Sequence, residues 1–115
     1  MKILQNCIEL SSSVKIYVPS TIDIDQTFDN AEIIDNTLKF LCLEFGGATA
    51  SKAVGNWLVA PNELVKEDIT LVLSYTTQDQ LEKSINKVIE FCQKMKLDLR
   101  QQAIAIEVNN KLYLV

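Results

Sequence analysis

The chain has 115 residues, 48 % hydrophobic and 23 % charged, with a net charge of −4 and no histidine. That length predicts one domain, residues 1–115, able to bury a core without metals or disulfides. The acidic balance argues against general nucleic-acid binding and against docking on anionic membranes. The missing histidine removes Ser-His and Cys-His pairs, the usual zinc ligand and the commonest general base.

Residues 1–12 read as an N-terminal extension, with too broken an apolar run for a signal peptide. Val14, Ile16 and Val18 alternate with Lys15 and Tyr17, which predicts a half-buried strand ended by Pro19. An irregular segment follows to Asn30. Asp29 and Glu32 then read as a capping-box pair. The helix they open carries the stripe Ile34, Leu38, Leu41 and Phe45, broadened by Ile33, Thr37 and Cys42. Gly46 stands where a left-handed helix stop is expected. The pair Gly46-Gly47 follows a helix, whereas a phosphate-binding glycine loop precedes one, so it reads as a stop and turn.

Ala48 to Ala60 reads as a strand, with Gly55 marking a bulge or a close backbone approach. Pro61-Asn62 supplies a turn, and Leu64 to Tyr75 is the strongest strand. Thr77 and Gln80 cap a second helix with the stripe Leu81, Ile85, Val88, Cys92 and Met95. That helix is expected to stop between Lys96 and Arg100. Two short strands, Ala103 to Val108 and Lys111 to Val115, flank Asn109-Asn110, which reads as a two-residue hairpin turn.

This order predicts an α+β, ferredoxin-like βαββαβ domain with an added C-terminal hairpin strand, both helices on one face of an antiparallel sheet. The expected core holds Ile34, Leu38, Leu71, Leu73, Leu81, Ile85, Val88, Ile104 and Ile106. The helix-free face is expected to show Lys15, Tyr17, Thr70, Val72, Ser74, Ala103 and Ala105, joined by Leu112 and Leu114. An apolar face of this kind calls for a cover. A homodimer through Val72, Ala105, Leu112 and Leu114, or through the C-terminal edge strand, is expected. The alternative is that Met1 to Leu10 folds across the face.

Each candidate site has a structural alternative. Asp23, Asp25 and Asp29 could hold a hard cation, but Phe28 and Ile34 stand where an EF-hand needs glycine and glutamate, so solvated loop acids are expected and no metal. Glu67, like Glu107, reads as a strand-end acid paired with a lysine such as Lys66 or Lys52 more than as a catalytic acid. Trp57 reads as core before ligand platform. Lys15, Tyr17, Thr49 and Lys52 could receive an anion, though their spacing does not require it. No nucleophile elbow, P-loop or dinucleotide fingerprint is present, and no cofactor is expected.

The segments KIYVPSTIDID, FGGAT, GNW, LVKEDITLVLSY and QQAIAIEVNNKLYLV together resemble a family of small uncharacterised proteins carried by phages, plasmids and conjugative elements of Gram-positive bacteria. The resemblance spans Lys15 to Val115. It directs attention to Gly46, Gly47, Thr49, Trp57 and Glu67, and it places Cys42 where the family's segment is more often serine-like. It implies a protein that counters host defence; the lack of a signal peptide and of an apolar run of about 20 residues reads as cytoplasmic. The expectation is a non-enzymatic binder that contacts a defence effector, as anti-CRISPR proteins do. One alternative is a binder that sequesters a nucleotide immune signal. The other is a small histidine-free lyase or isomerase using Glu67, Glu107 or a lysine.

Overall fold

The computed structural model describes residues 1–23 and 26–115. After a single 3-10 turn at Lys2–Asn6 come β1 (Ser12–Pro19), a two-strand hairpin of β2 (Thr21–Ile22) and β3 (Gln26–Thr27), and α1 (Ala31–Phe45). Then follow β4 (Thr49–Ala60), β5 (Glu63–Thr76), α2 (Gln78–Asp98), β6 (Ala105–Val108) and β7 (Lys111–Leu114). The main sheet is antiparallel with order β4-β5-β1-β6-β7. This is the ferredoxin-like arrangement with one added edge strand, as the sequence predicts.

Register decides which side chains face the helices. Val14, Ile16 and Val18 of β1 lie opposite Ser74, Val72 and Thr70 of β5, and Ile16 also lies opposite Ile106 of β6. Directly opposed residues share a face, so this layer is the buried one. Val14, Ile16, Val18, Val72 and Ile106 are wholly buried there, beneath Leu41 of α1 and Leu81, Val88, Cys92 and Met95 of α2. Stacking of Phe40 on Phe91, with centroids 4.4 Å apart, joins the two helices.

The expected faces of β5 are therefore exchanged. Val72 belongs to the core, not to a dimer face, and Thr70 and Ser74 lie beside it. Leu71, Leu73 and Tyr75 stand on the helix-free side with Lys15 and Tyr17. The cause is that both faces of β5 are apolar enough to be buried, and the greasier one is turned away from the helices. Ala105, Leu112 and Leu114 do lie on the helix-free side, in register with one another and with Glu107. The N-terminal segment does not cover that face: residues 1–11 are all exposed.

Local signals are largely as read. Gly46 ends α1 at φ +93°, its N–H donating to the Cys42 carbonyl at 2.8 Å. Thr77 caps α2 by accepting the Gln80 N–H at 3.2 Å. Asn109 and Asn110 take φ of +51° and +66°, the pair of positive values a tight hairpin needs. Two details differ. The residue before α1 is Asn30, whose side chain donates to the Pro19 carbonyl, while Asp29 accepts the Ala31 N–H at 3.1 Å; no capping box forms. Cys42 is exposed rather than part of the buried stripe, whereas burial pushes the Cys92 thiol up to about 12.

β1 ends opposite Ile69. From Asp68 to Glu63, β5 has only β4 as a partner, so the pair leaves the body as a two-stranded arm. The arm accounts for the 50 Å long axis and a radius of gyration of 15.7 Å, against about 13 Å for a typical 100-residue domain.

Candidate active site

A groove opens on the helix-free side where the arm leaves the sheet. Two loops build its wall. The loop after β1 and the loop after α2 are locked together: Asp23 N donates to the Leu99 carbonyl at 2.8 Å, and Gln101 Nε2 donates to the carbonyls of Thr21 and Asp23 at 3.0 and 2.7 Å. Asp23 and Arg100 both hold positive φ, and their side chains pair at 3.4 Å. That geometry brings Gln101, Gln102 and Ala103 against the base of the arm.

Glu67 stands at the centre. It lines a cavity of about 330 Å³ with Thr21, Asp23, Trp57 and Gln101, and a smaller one of about 120 Å³ with Tyr17, Pro19, Gln101 and Ala103. Together they reach the lower range of small-molecule sites, roughly 300–1,000 Å³. Thr21 Oγ1 donates to Glu67 Oε1 at 3.1 Å. Glu67 makes no ion pair among the described residues, so the expected partnership with Lys66 or Lys52 is corrected: a hydroxyl orients this carboxylate and leaves its charge uncompensated. Gly55 lies directly opposite Glu67. A Cβ on Gly55 would come within 2.6 Å of Ile69 Cδ1, which identifies the close approach that this glycine signalled. Trp57, two residues on, is 40 % exposed and lines the larger cavity. It is a groove wall, not core.

Beside the smaller cavity, Tyr17, Lys15 and Glu107 form a second polar cluster. Tyr17 Oη donates to Glu107 Oε1 at 2.8 Å, and Lys15 Nζ lies 3.0 Å from Glu107 Oε2. The hydrogen bond from Lys15, then that from Tyr17, holds the Glu107 carboxyl below the usual carboxylate range. The same bonds raise Lys15 and Tyr17 above their ordinary values. Of the two acids, Glu107 is neutralised by its neighbours and Glu67 is not.

The structure thus brings together Tyr17, Trp57 and Glu67 from the sequence-derived candidates around the two cavities, while Lys15 lies further along the sheet, opposite Leu73 and paired with Glu107. Gly46 and Gly47 lie elsewhere: the first stops α1, and the carbonyl of the second accepts Ser74 Oγ at 2.6 Å. Thr49 shares the face but sits opposite Leu73, eight residues from Trp57 along β4, about 27 Å at strand rise. Thr21, Gln101 and Gln102 were not singled out by the sequence, because residues that converge through tertiary contacts carry no periodic signal; Ala103 was expected on the helix-free face, and the structure sets it at the base of the groove. Of the loop acids, Asp23 pairs with Arg100, Asp29 caps the Ala31 N–H, and Asp25 lies outside the described residues. Among the described residues, no three acids or thiols cluster at metal-binding distance, and no helix is long and apolar enough to cross a membrane.

The fold and groove define a ferredoxin-like α+β protein with an acid- and aromatic-lined cleft on the open side of its sheet. Two solved structures share this architecture over nearly the whole chain. One is a phage SAM lyase in complex with S-methyl-5′-thioadenosine, at TM-score 0.66 and 13 % identity, covering 94 % of this chain and 91 % of that one. The other is a phage SAM lyase in its apo state, at TM-score 0.62 and 15 % identity, covering 91 % and 88 %. No family model matches the sequence, and no curated protein matches it. The likeness to lyases overturns the expectation of a non-enzymatic protein that acts by contacting a defence effector. Absence of histidine does not exclude catalysis: carboxylate, tyrosine and lysine side chains, all present in this chain, can serve as acids and bases.

Proposed function

We propose that this chain is a lyase that cleaves S-adenosylmethionine in the groove around Glu67. The observation that carries the reading is the whole-chain likeness to SAM lyases, one of them holding S-methyl-5′-thioadenosine. It takes up the histidine-free lyase of the sequence analysis. The substrate is a sulfonium cation with an amino-acid tail. Breaking its S–Cγ bond returns the bonding pair to sulfur and gives neutral S-methyl-5′-thioadenosine. The substrate's own carboxylate oxygen bonds to Cγ as the sulfur leaves, which closes a five-membered lactone. No proton is moved, so no general base is required. Opposite charges on sulfur and carboxylate disappear together, and a site that excludes water favours such a step.

In this reading Glu67 attracts the cationic part of the substrate with its uncompensated charge, and Thr21 fixes the carboxylate's direction. Trp57 offers an aromatic face for the purine or for the sulfonium. Such an activity inside a bacterial host would drain the methyl donor used for DNA modification. That keeps an anti-defence role but assigns it to destruction of a small molecule. We further place a second copy of the chain over the C-terminal edge of the helix-free face, where Ala105, Leu112 and Leu114 lie without helix cover; a monomeric mass at micromolar concentration would overturn this.

The test of the lyase reading is to incubate the purified protein with S-adenosylmethionine and to follow S-methyl-5′-thioadenosine by liquid chromatography. Release well above the spontaneous rate is expected, with a loss of about 100-fold in Glu67→Gln, the scale of removing one preorganised electrostatic group. Release no faster than in buffer would overturn the assignment.

A further inference from the structure

We infer that Gln101 is the residue by which the groove selects a substrate with a primary ammonium, and that this ammonium sits in the smaller cavity between Gln101 Oε1 and Glu67. The inference rests on the lyase reading and names the part of S-adenosylmethionine that the groove recognises. Gln101 Nε2 lies 3.0, 2.7 and 3.4 Å from the carbonyl oxygens of Thr21, Asp23 and Leu99. An amide turned the other way would set its own oxygen against those three carbonyl oxygens, so the contacts assign the nitrogen. Oε1 therefore points away from the loops. The Gln101 backbone N–H donates to the Lys96 carbonyl at 3.0 Å and fixes the base of the side chain.

Among the described residues, no N–H or O–H donates to Gln101 Oε1. None of their buried side-chain oxygens lacks a partner, so Oε1 opens on the cavities that Gln101 lines. The smaller cavity, about 120 Å³, is otherwise walled by Tyr17, Pro19, Glu67, Ile69 and residues 103–105. Its nearby hydroxyl donors are already spent: Tyr17 Oη on Glu107, and Thr21 Oγ1 on Glu67 Oε1. The side-chain groups left facing the space are two acceptors, Gln101 Oε1 and the Glu67 carboxylate, on an apolar wall.

Acceptors alone call for a group made of donors. The substrate's ammonium carries three N–H bonds and a positive charge. Its purine amino group is uncharged, its ribose hydroxyls accept as well as donate, and its sulfonium has no donor. Only the ammonium answers both the acceptors and the Glu67 charge, and hydrogen bonds from an ionised donor are the stronger kind. The substrate carboxylate, on the same carbon, is repelled by both oxygens. It is turned back towards the sulfonium end, the direction in which it must move to meet Cγ. A site built on such acceptors rejects an analogue that lacks the N–H groups, because the acceptors are then left unpaired.

The test pairs S-adenosylmethionine with its deaminated analogue, which keeps the sulfonium and the carboxylate and so can release the same S-methyl-5′-thioadenosine. The native protein should show a kcat/KM about 100-fold higher for S-adenosylmethionine, and Gln101→Leu should narrow that preference to about tenfold. Equal values for the two substrates in the native protein overturn the inference and leave the lyase reading standing. A Gln101→Leu protein that loses the same factor on both substrates also overturns it, since Gln101 would then only clamp the loops. If neither substrate is cleaved, the lyase reading falls and binding decides. Quenching of Trp57, the single tryptophan, is titrated with S-adenosylhomocysteine and with its deaminated form, thioethers that carry no sulfonium leaving group. Binding at least about tenfold tighter with the amine supports the recognition; equal affinities, or no binding of either, overturn it. Should Gln101→Leu fail to fold by circular dichroism, the carbon-13 resonance of the Gln101 side-chain carbonyl in the native protein takes its place. A shift with S-adenosylhomocysteine and none with the deaminated form is expected, and the same response to both overturns the inference.

Discussion

Replacing Val72 and Leu73 by lysine, one at a time, separates the two faces of β5. Val72 has no solvent exposure, and the buried polar groups among the described residues are hydroxyls of serine and threonine only. An ammonium at position 72 would have no buried carboxylate to meet. It would have to be desolvated or give up its proton, a penalty of several kcal/mol against a total stability of about 5–15 kcal/mol. Leu73 is half-buried on the helix-free side. A lysine there can lay its stem along Leu71 and carry the charge out to water, so its loss should be about 1 kcal/mol, or a fall of about 5 °C in Tm. Thermal melts by circular dichroism, run at two protein concentrations, should show Val72→Lys largely unfolded at room temperature and Leu73→Lys folded with a modest shift. A folded Val72→Lys protein would refute the register argument. A Leu73→Lys protein that melts as early as Val72→Lys at both concentrations would refute the assignment of that face as open.

Two further outcomes follow from particular contacts. Gly46→Ala should lose about 1–2 kcal/mol by urea denaturation, because alanine at φ +93° is strained, while S-adenosylmethionine turnover should be unchanged; a fall in turnover with stability intact would return the glycine pair to the site. Glu107→Gln should change the pH dependence of stability at both ends. The Glu107 carboxyl is lowered in the folded state, so its contribution is complete above the ordinary glutamate pKa of about 4.3 and fades as pH falls through the lower folded value. Lys15 and Tyr17 are raised, so theirs is complete below about pH 10 and fades as pH climbs through their folded values. The Tm gap between the native protein and Glu107→Gln should therefore be widest between those limits and close towards both extremes; a gap constant across pH would show that the cluster is not linked in this way.

What the sequence discloses here depends on whether one physical signal acts alone. The stripes of α1 and α2, the Gly46 stop, the Thr77 cap and the Asn109-Asn110 turn are each set by local geometry, and each was legible. The strand β1 was legible too, because only one of its faces is apolar. β5 was not, since Ile69, Leu71, Leu73 and Tyr75 alternate with a second set, Thr70, Val72 and Ser74, that is also compatible with burial. Its register against Ile16 is a tertiary fact. The same exchange hid the site. Glu67 shares the parity of Leu71, and placing Leu71 in the core made Glu67 a marginal strand-end acid. With the face reversed, the same parity sets it beside Trp57 and Tyr17 in an open groove. Gln101 and Thr21 reach the groove through loops that only the folded chain brings together.

The arm of β4 and β5 has a consequence for cooperativity. Past Ile69 it is a two-stranded ribbon, and such ribbons are marginal by themselves. Its amides should exchange with solvent through local fraying long before the five-strand body opens. Trp57 and Glu67 sit on that ribbon, whereas Thr21, Gln101 and Ala103 belong to the body. A molecule bound between them would bridge a labile unit to a persistent one. Its binding energy would then be spread along the arm as slowed hydrogen exchange, from Glu67 outward towards the Pro61-Asn62 tip, with no change in the shape of the core.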